Sequence, residues 1–285
     1  MMDIRKFLLG VAAILPLCAS AEAHDPLWLD QAYPNHPLLG PAKAEGAVVW
    51  SHGRSVDSED STAPTPPYMA LLQQGGWDAY RFNRMRVADT LANSAEGLVA
   101  EVHHLKQMGY RQVALTGQSF GGFLALMAAD ASDEIDSVMV TAPAAYGSFS
   151  EYYGSWRNNA TKLYPLLERV RHARVMVFFF HGDDFDPGGR GEHSRAILAS
   201  RGLPFVVVDQ PALLTTHWAA STPQFSKLYG GCVLGFLDAQ HVNGGAACRD
   251  DSFWAGTAEA LPLHPAASTS GEDTATLPAL EPQSR

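Results

Sequence analysis

The chain has 285 residues, 46% of them hydrophobic and 18% charged, and carries a formal net charge of −10 from 20 basic and 30 acidic side chains. That apolar content can bury a full core, so a globally disordered chain is excluded. The acidic balance excludes sequence-independent nucleic-acid binding, which needs a basic face to neutralise phosphates, and three cysteines are too few for a small disulfide-built scaffold.

At the start of the chain, Arg5 and Lys6 precede an apolar run over 7–19, and Ala21-Glu22-Ala23 has the small-x-small form of a processing site. Residues 1–23 read as a cleaved export leader, because the run is shorter than the ~20 residues that span a bilayer. The expected mature protein is exported, periplasmic or secreted, with no integral membrane segment. Only Cys232 and Cys248 remain after cleavage, and an even pair in an oxidising compartment reads most simply as a disulfide.

A first apolar strand is expected over 47–51, stopping at His52-Gly53. A helix over 68–74 and a strand over 77–82 follow. Over 87–108, Leu91, Ala95, Leu98, Val102 and Leu105 recur at three- and four-residue steps, a helical spacing that Gly109 closes. Next come a strand over 113–116, a helix over 123–129, and strands over 137–142, 175–180 and 205–209. Helical patterns lie around 164–171 and 192–200, and a last helix fits 223–237. These strands do not alternate polar with apolar, so both of their faces are buried, as in a mostly parallel sheet with helices on either side. Function is expected in the loops after the strands' carboxyl ends. The compact domain is assigned to 24–250. Residues 251–285, with Pro262, Pro265, Pro278 and Pro282, read as a flexible tail.

Gly117-Gln118-Ser119-Phe120-Gly121-Gly122 falls between a strand and a helix. A serine there is forced onto a tight corner that its flanking glycines allow. On these residues the chain resembles the α/β-hydrolase superfamily, in its serine esterase, dienelactone-hydrolase-like or prolyl-oligopeptidase-like branches. The resemblance implies a Ser, Asp, His order along the chain, with the acid after a later strand and the histidine after the last. The loop His181-Gly182-Asp183-Asp184-Phe185-Asp186-Pro187 follows the strand over 175–180, and His217 follows the strand over 205–209. Counted back from the helix near Glu192, the acid is Asp186, which is taken as the third member with Ser119 and His217; counted forward from Gly182, Asp183 or Asp184 remains the alternative. The backbone N–H groups of Arg54 and Phe120 would form an oxyanion hole.

The resemblance further implies acyl transfer from a small-molecule ester through a covalent intermediate on Ser119, with no cofactor. No metal-ligand spacing is present. His103 and His104 lie on a helix and read as surface residues. Tyr146, Phe149, Tyr152, Tyr153, Trp156 and Tyr164 fill the segment where the family inserts a cap, and read equally as pocket lining or as packing. Asp57, Glu59 and Asp60 would place acidic charge near the oxyanion side and disfavour strongly anionic substrates. A serine peptidase shares the triad, but the sequence shows no propeller domain to filter peptides. A non-catalytic envelope-binding protein could retain the fold.

Overall fold

A computed structural model describes residues 26–54, 60–145 and 154–238. The segments expected to be a leader and a tail, and Cys248, Asp57, Glu59, Tyr146, Phe149, Tyr152 and Tyr153, lie outside the described residues.

Strand β2 (Gly46–Ser51) is buried at every position, and neighbouring side chains on a strand point to opposite faces. Val49 joins a core on one face with Leu98, Val102 and Leu124. Val48 and Trp50 join a second core on the other face, with Tyr68, Met69 and Phe225. Strand β5 (Ser137–Thr141) divides in the same way, Val138 and Val140 to the first core and Met139 to the second. A strand that feeds two cores needs apolar residues in succession, which is why the sequence shows runs here and no alternation.

Among the described residues seven strands form one sheet in the order β1-β3-β2-β4-β5-β6-β7. β3 (Trp77–Arg84), β4 (Val113–Gln118), β6 (Arg174–Phe179) and β7 (Phe205–Asp209) run parallel with β2 and β5. The edge strand β1 (Leu27–Gln31) was not expected; it pairs antiparallel with β3 and is only half-buried. Its Asp30 accepts from Arg81 at 3.1 Å and from Asn83 at 2.7 Å, side-chain bonds that help fix the register.

Helices α2 (Leu91–Gln107), α3 (Phe120–Ala131), α5 (Leu163–Arg169) and α6 (Arg190–Arg201) contribute to the first core. Helices α1 (Tyr68–Gln74) and α7 (Pro223–Leu237) cover the opposite face. A short α4 (Trp156–Ala160) precedes α5. α2 begins at Leu91 and not at 87 because Thr90 Oγ1 accepts from Asn93 N at 3.1 Å, an N-cap that the apolar spacing does not reveal. α7 starts behind the equivalent cap at Thr222, with Pro223 in its first turn. Trp77 Nε1 donates to Asp238 Oδ1 at 2.8 Å and ties the end of α7 to the start of β3. Among the described residues no helix is long and apolar enough to cross a membrane.

From β2 the chain first builds outward to β3, then returns to the other side of β2 as β4. The turns leaving β2 and β4 therefore lie side by side at the carboxyl ends of these adjacent strands, where open α/β sheets carry their sites.

Candidate active site

β4 runs to Gln118, two residues beyond the expected end, so the turn into α3 is made at Ser119 alone. Ser119 has φ 57° and ψ −121° and is 7% exposed. A non-glycine residue held there costs on the order of 1–3 kcal/mol and persists only where its surroundings over-determine it. Its N–H donates to Thr141 O at 3.0 Å, and its carbonyl accepts from Phe123 N at 3.0 Å and Ala144 N at 3.1 Å. The neighbouring glycines provide room for the corner. A Cβ on Gly121 would overlap the carbonyl oxygen of Ser51, and one on Gly117 would lie 2.5 Å from the backbone of Gly121. The first turn of α3 is thereby pressed against the end of β2.

Beyond β5, β6 and β7 are continued by a parallel bridge between His181 and Thr215, and Thr216 N donates to His181 O at 2.8 Å. Two residues past this bridge on each chain stand Asp183 and His217. His217 Nδ1 lies 2.9 Å from Asp183 Oδ1, with both side chains buried. The same carboxylate oxygen accepts from Phe185 N at 2.9 Å. An Nδ1–H donated to Asp183 leaves Nε2 as the basic nitrogen. Nε2 is buried and has no hydrogen-bond partner among the described residues. The Phe185 ring stacks on the imidazole at 4.0 Å. Gln118 Nε2 donates to His217 O at 3.0 Å, so the residue before Ser119 holds the histidine loop to the elbow. Gln118 lies within the serine motif, but its type alone did not mark it as a tether.

Asp186, the acid favoured by counting back from α6, does not meet His217. Its Oδ1 accepts from Gly188 N at 2.9 Å within a turn, and its Oδ2 is buried without a partner. Burial pushes its carboxyl above the ordinary 3.8, against the opposing charge of Arg190. The count failed because Asp186-Pro187-Gly188-Gly189 is a turn leading into α6. Distance from the helix therefore says nothing about height in the sheet, whereas the register of β6 with β7 does. Asp184 is exposed.

Phe120 is buried at the first position of α3, and Arg54 follows Gly53. A Cβ on Gly53 would lie 3.4 Å from Ser119 Cβ, which brings this backbone against the elbow. The Arg54 guanidinium lies 5.5 Å over the Phe120 ring. His103, on α2, contacts Glu134 at the surface, away from this cluster, and His104 is exposed.

A narrow recess of about 10 Å³, room for little more than one water, opens between α3 and the loop after β5, lined by Phe123, Pro143, Ala144, Trp156, Phe185 and Arg190. Of the aromatic segment, Trp156 reaches this recess, while Tyr164 stacks on His193 at 4.7 Å. Arg190 is buried, donates to the Pro143 carbonyl and packs its guanidinium 5.1 Å from the Phe179 ring. Cys232 is buried in α7; its expected partner Cys248 lies outside the described residues.

No protein-family model matches the chain, and no curated protein matches it. Among solved structures it is similar to a sugar hydrolase (YeeB) from Lactococcus lactis, with 17% identity and a TM-score of 0.55 over 76% of this chain and 95% of that one. It is similar to a monoacylglycerol lipase from Paleococcus ferrophilus, with 14% identity and a TM-score of 0.55 over 75% of this chain and 99% of that one. It also resembles a puromycin-hydrolyzing peptidase from Mycobacterium tuberculosis, with 14% identity and a TM-score of 0.52 over 74% of this chain. The match spans only 37% of that peptidase's length. At these identities the likeness is one of fold.

Proposed function

The chain has the α/β-hydrolase fold, and from that premise we propose that it is a serine hydrolase that cleaves carboxylic esters through an acyl-enzyme. The observation that carries this reading is the strained, buried Ser119 tethered through Gln118 to His217, whose Nδ1 is engaged by Asp183 and whose Nε2 is left unpartnered. A structural serine does not need a positive-φ corner, and a structural histidine buried beside a carboxylate would find a partner for its second nitrogen.

In this mechanism His217 Nε2 takes the Ser119 Oγ proton as the oxygen attacks the ester carbonyl. Asp183 holds the ring in the tautomer that leaves Nε2 free, and stabilises the imidazolium that forms. The N–H groups of Phe120 and Arg54 receive the developing oxyanion. The imidazolium then gives its proton to the departing alkoxide. Water, deprotonated by His217, attacks the acyl-enzyme and releases the acid and Ser119. The reading extends to an exported enzyme in which Cys232 pairs with Cys248; two free thiols in unreduced protein would remove the pairing.

The test is labelling with a fluorophosphonate, followed by turnover of a panel of p-nitrophenyl esters and peptide amides. Ser119→Ala is expected to abolish labelling, and Ser119→Ala and His217→Ala each to abolish ester hydrolysis. Undiminished labelling of Ser119→Ala would sink the proposal. Turnover of amides without esters would replace it with a peptidase.

A further inference from the structure

The last residue of β3 is a buried arginine that the chemistry above leaves without a task. Arg84 is fully buried, as is Asp89, which accepts from Arg84 Nε at 2.9 Å. Asp89 is fixed in turn by Ser94 Oγ, which donates to Oδ1 at 2.7 Å. A buried ion pair gives little stability over apolar side chains of the same size, so its place in the core calls for another explanation. Arg84 Nη2 donates to His52 O at 2.8 Å and to Gly53 O at 3.3 Å. The same Gly53 oxygen lies 3.2 Å from Ser61 Oγ and 2.8 Å from His52 Nδ1. Ser61 has one proton to share, since its Oγ is also 3.2 Å from Asp89 Oδ2.

Every described peptide is trans, so the N–H of Arg54 points opposite to the carbonyl of Gly53. Gripping that oxygen from one side decides where the N–H on the other side points. Hydrogen bonds to the oxygen also polarise the peptide and strengthen the N–H as a donor. The Arg84 guanidinium lies 5.6 Å from the ring of Phe120, the residue that carries the second N–H.

We infer that Arg84 is a positioning residue for oxyanion stabilisation: seated on Asp89 and assisted by Ser61, it holds the Gly53 carbonyl from behind and keeps the Arg54 N–H aimed at the oxygen that gains charge. The inference rests on the serine-hydrolase reading and adds to it a device for preorganisation. A donor aimed before the reaction acts on the transition state more than on the bound substrate, so its loss lowers kcat and leaves KM nearly unchanged.

The full chain and its Arg84→Lys and Ser61→Ala variants, checked for folding by thermal melting, would be assayed for kcat and KM on one p-nitrophenyl ester. Binding of an alkyl boronic acid, which forms a tetrahedral adduct with Ser119, would be compared with binding of the product carboxylic acid. Arg84→Lys is expected to lower kcat roughly 100-fold and Ser61→Ala about tenfold, with KM within about twofold of wild type. Boronate affinity should fall with kcat while affinity for the product acid holds. Folded variants with wild-type kcat and boronate affinity overturn the inference, as does a loss confined to KM. If Arg84→Lys does not fold, Ser61→Ala decides alone. A wild-type chain that neither labels with a fluorophosphonate nor turns over esters overturns the serine-hydrolase reading, and this inference with it. Ser119-dependent turnover with unaltered variants overturns the inference only.

Discussion

Two glycine-bearing segments build the candidate site, the elbow around Ser119 and the loop from His181 to Gly189, and they use glycine for different reasons. At Gly121 a Cβ would run into the carbonyl of Ser51, so the residue is set by lack of space. At Gly188 a Cβ would meet nothing within 4 Å, but φ is 84°, so the residue is set by its dihedral. The elbow is fixed from outside, by a helix pressed on a strand end. The acid loop is fixed from within, by the hydrogen bonds that Asp183 and Asp186 make to their own turn and by one parallel bridge to the histidine loop. Substitutions in the first segment should therefore be all-or-none, and those in the second graded.

The largest expected effect is catalytic and comes from the graded segment. Asp183→Asn should lower kcat by about 10⁴-fold, because an amide no longer favours the Nδ1–H tautomer, whereas Asp186→Asn should leave kcat close to wild type. Equal losses in an ester assay would break the assignment of the acid. Gly121→Ala should cost about 3 kcal/mol or more in a denaturant melt, the upper range for overpacking, because the atoms it meets are backbone and cannot swing aside. Gly188→Ala should cost about 1 kcal/mol, the lower range for a non-glycine residue in the left-handed region. A Gly188→Ala loss as large as that of Gly121→Ala would erase the distinction. The smallest effect is a pH dependence at Asp186. Its carboxyl titrates above the unfolded value, so the folded state holds the proton more tightly and stability falls as pH rises from the ordinary 3.8 through the raised value. Asp186→Asn should accordingly melt slightly higher than wild type at neutral pH, and the gain should vanish below that window.

The central strands and the serine corner were legible because each rests on local signals: apolar runs that feed two cores, and glycines on either side of Ser119. His217 was legible from its position after the last strand. The choice among Asp183, Asp184 and Asp186 was not, because all three sit in one loop and only the His181–Thr215 bridge brings Asp183 level with His217. β1 escaped because its apolar stretch, Leu27-Trp28-Leu29, is short, half-buried and broken at Asp30. Arg84 and Asp89 gave no signal either, since a charge in sequence does not say whether it will be buried, and the carbonyls that Arg84 grips come from a strand end more than 30 residues away.

Helix α3 is buried along nearly its whole length, from Phe120 to Ala129, whereas the segment bearing His217 passes through positive-φ backbone at Gln210 and Thr216. Hydrogen exchange is expected to place the two halves of the site in different cooperative units. Amides of α3 should exchange only when the whole domain opens, and those around His217 through smaller, local openings. Mild heating would then silence the protein by loosening the histidine loop while Ser119 is still locked in place, so loss of activity should precede loss of helical signal and reverse on cooling.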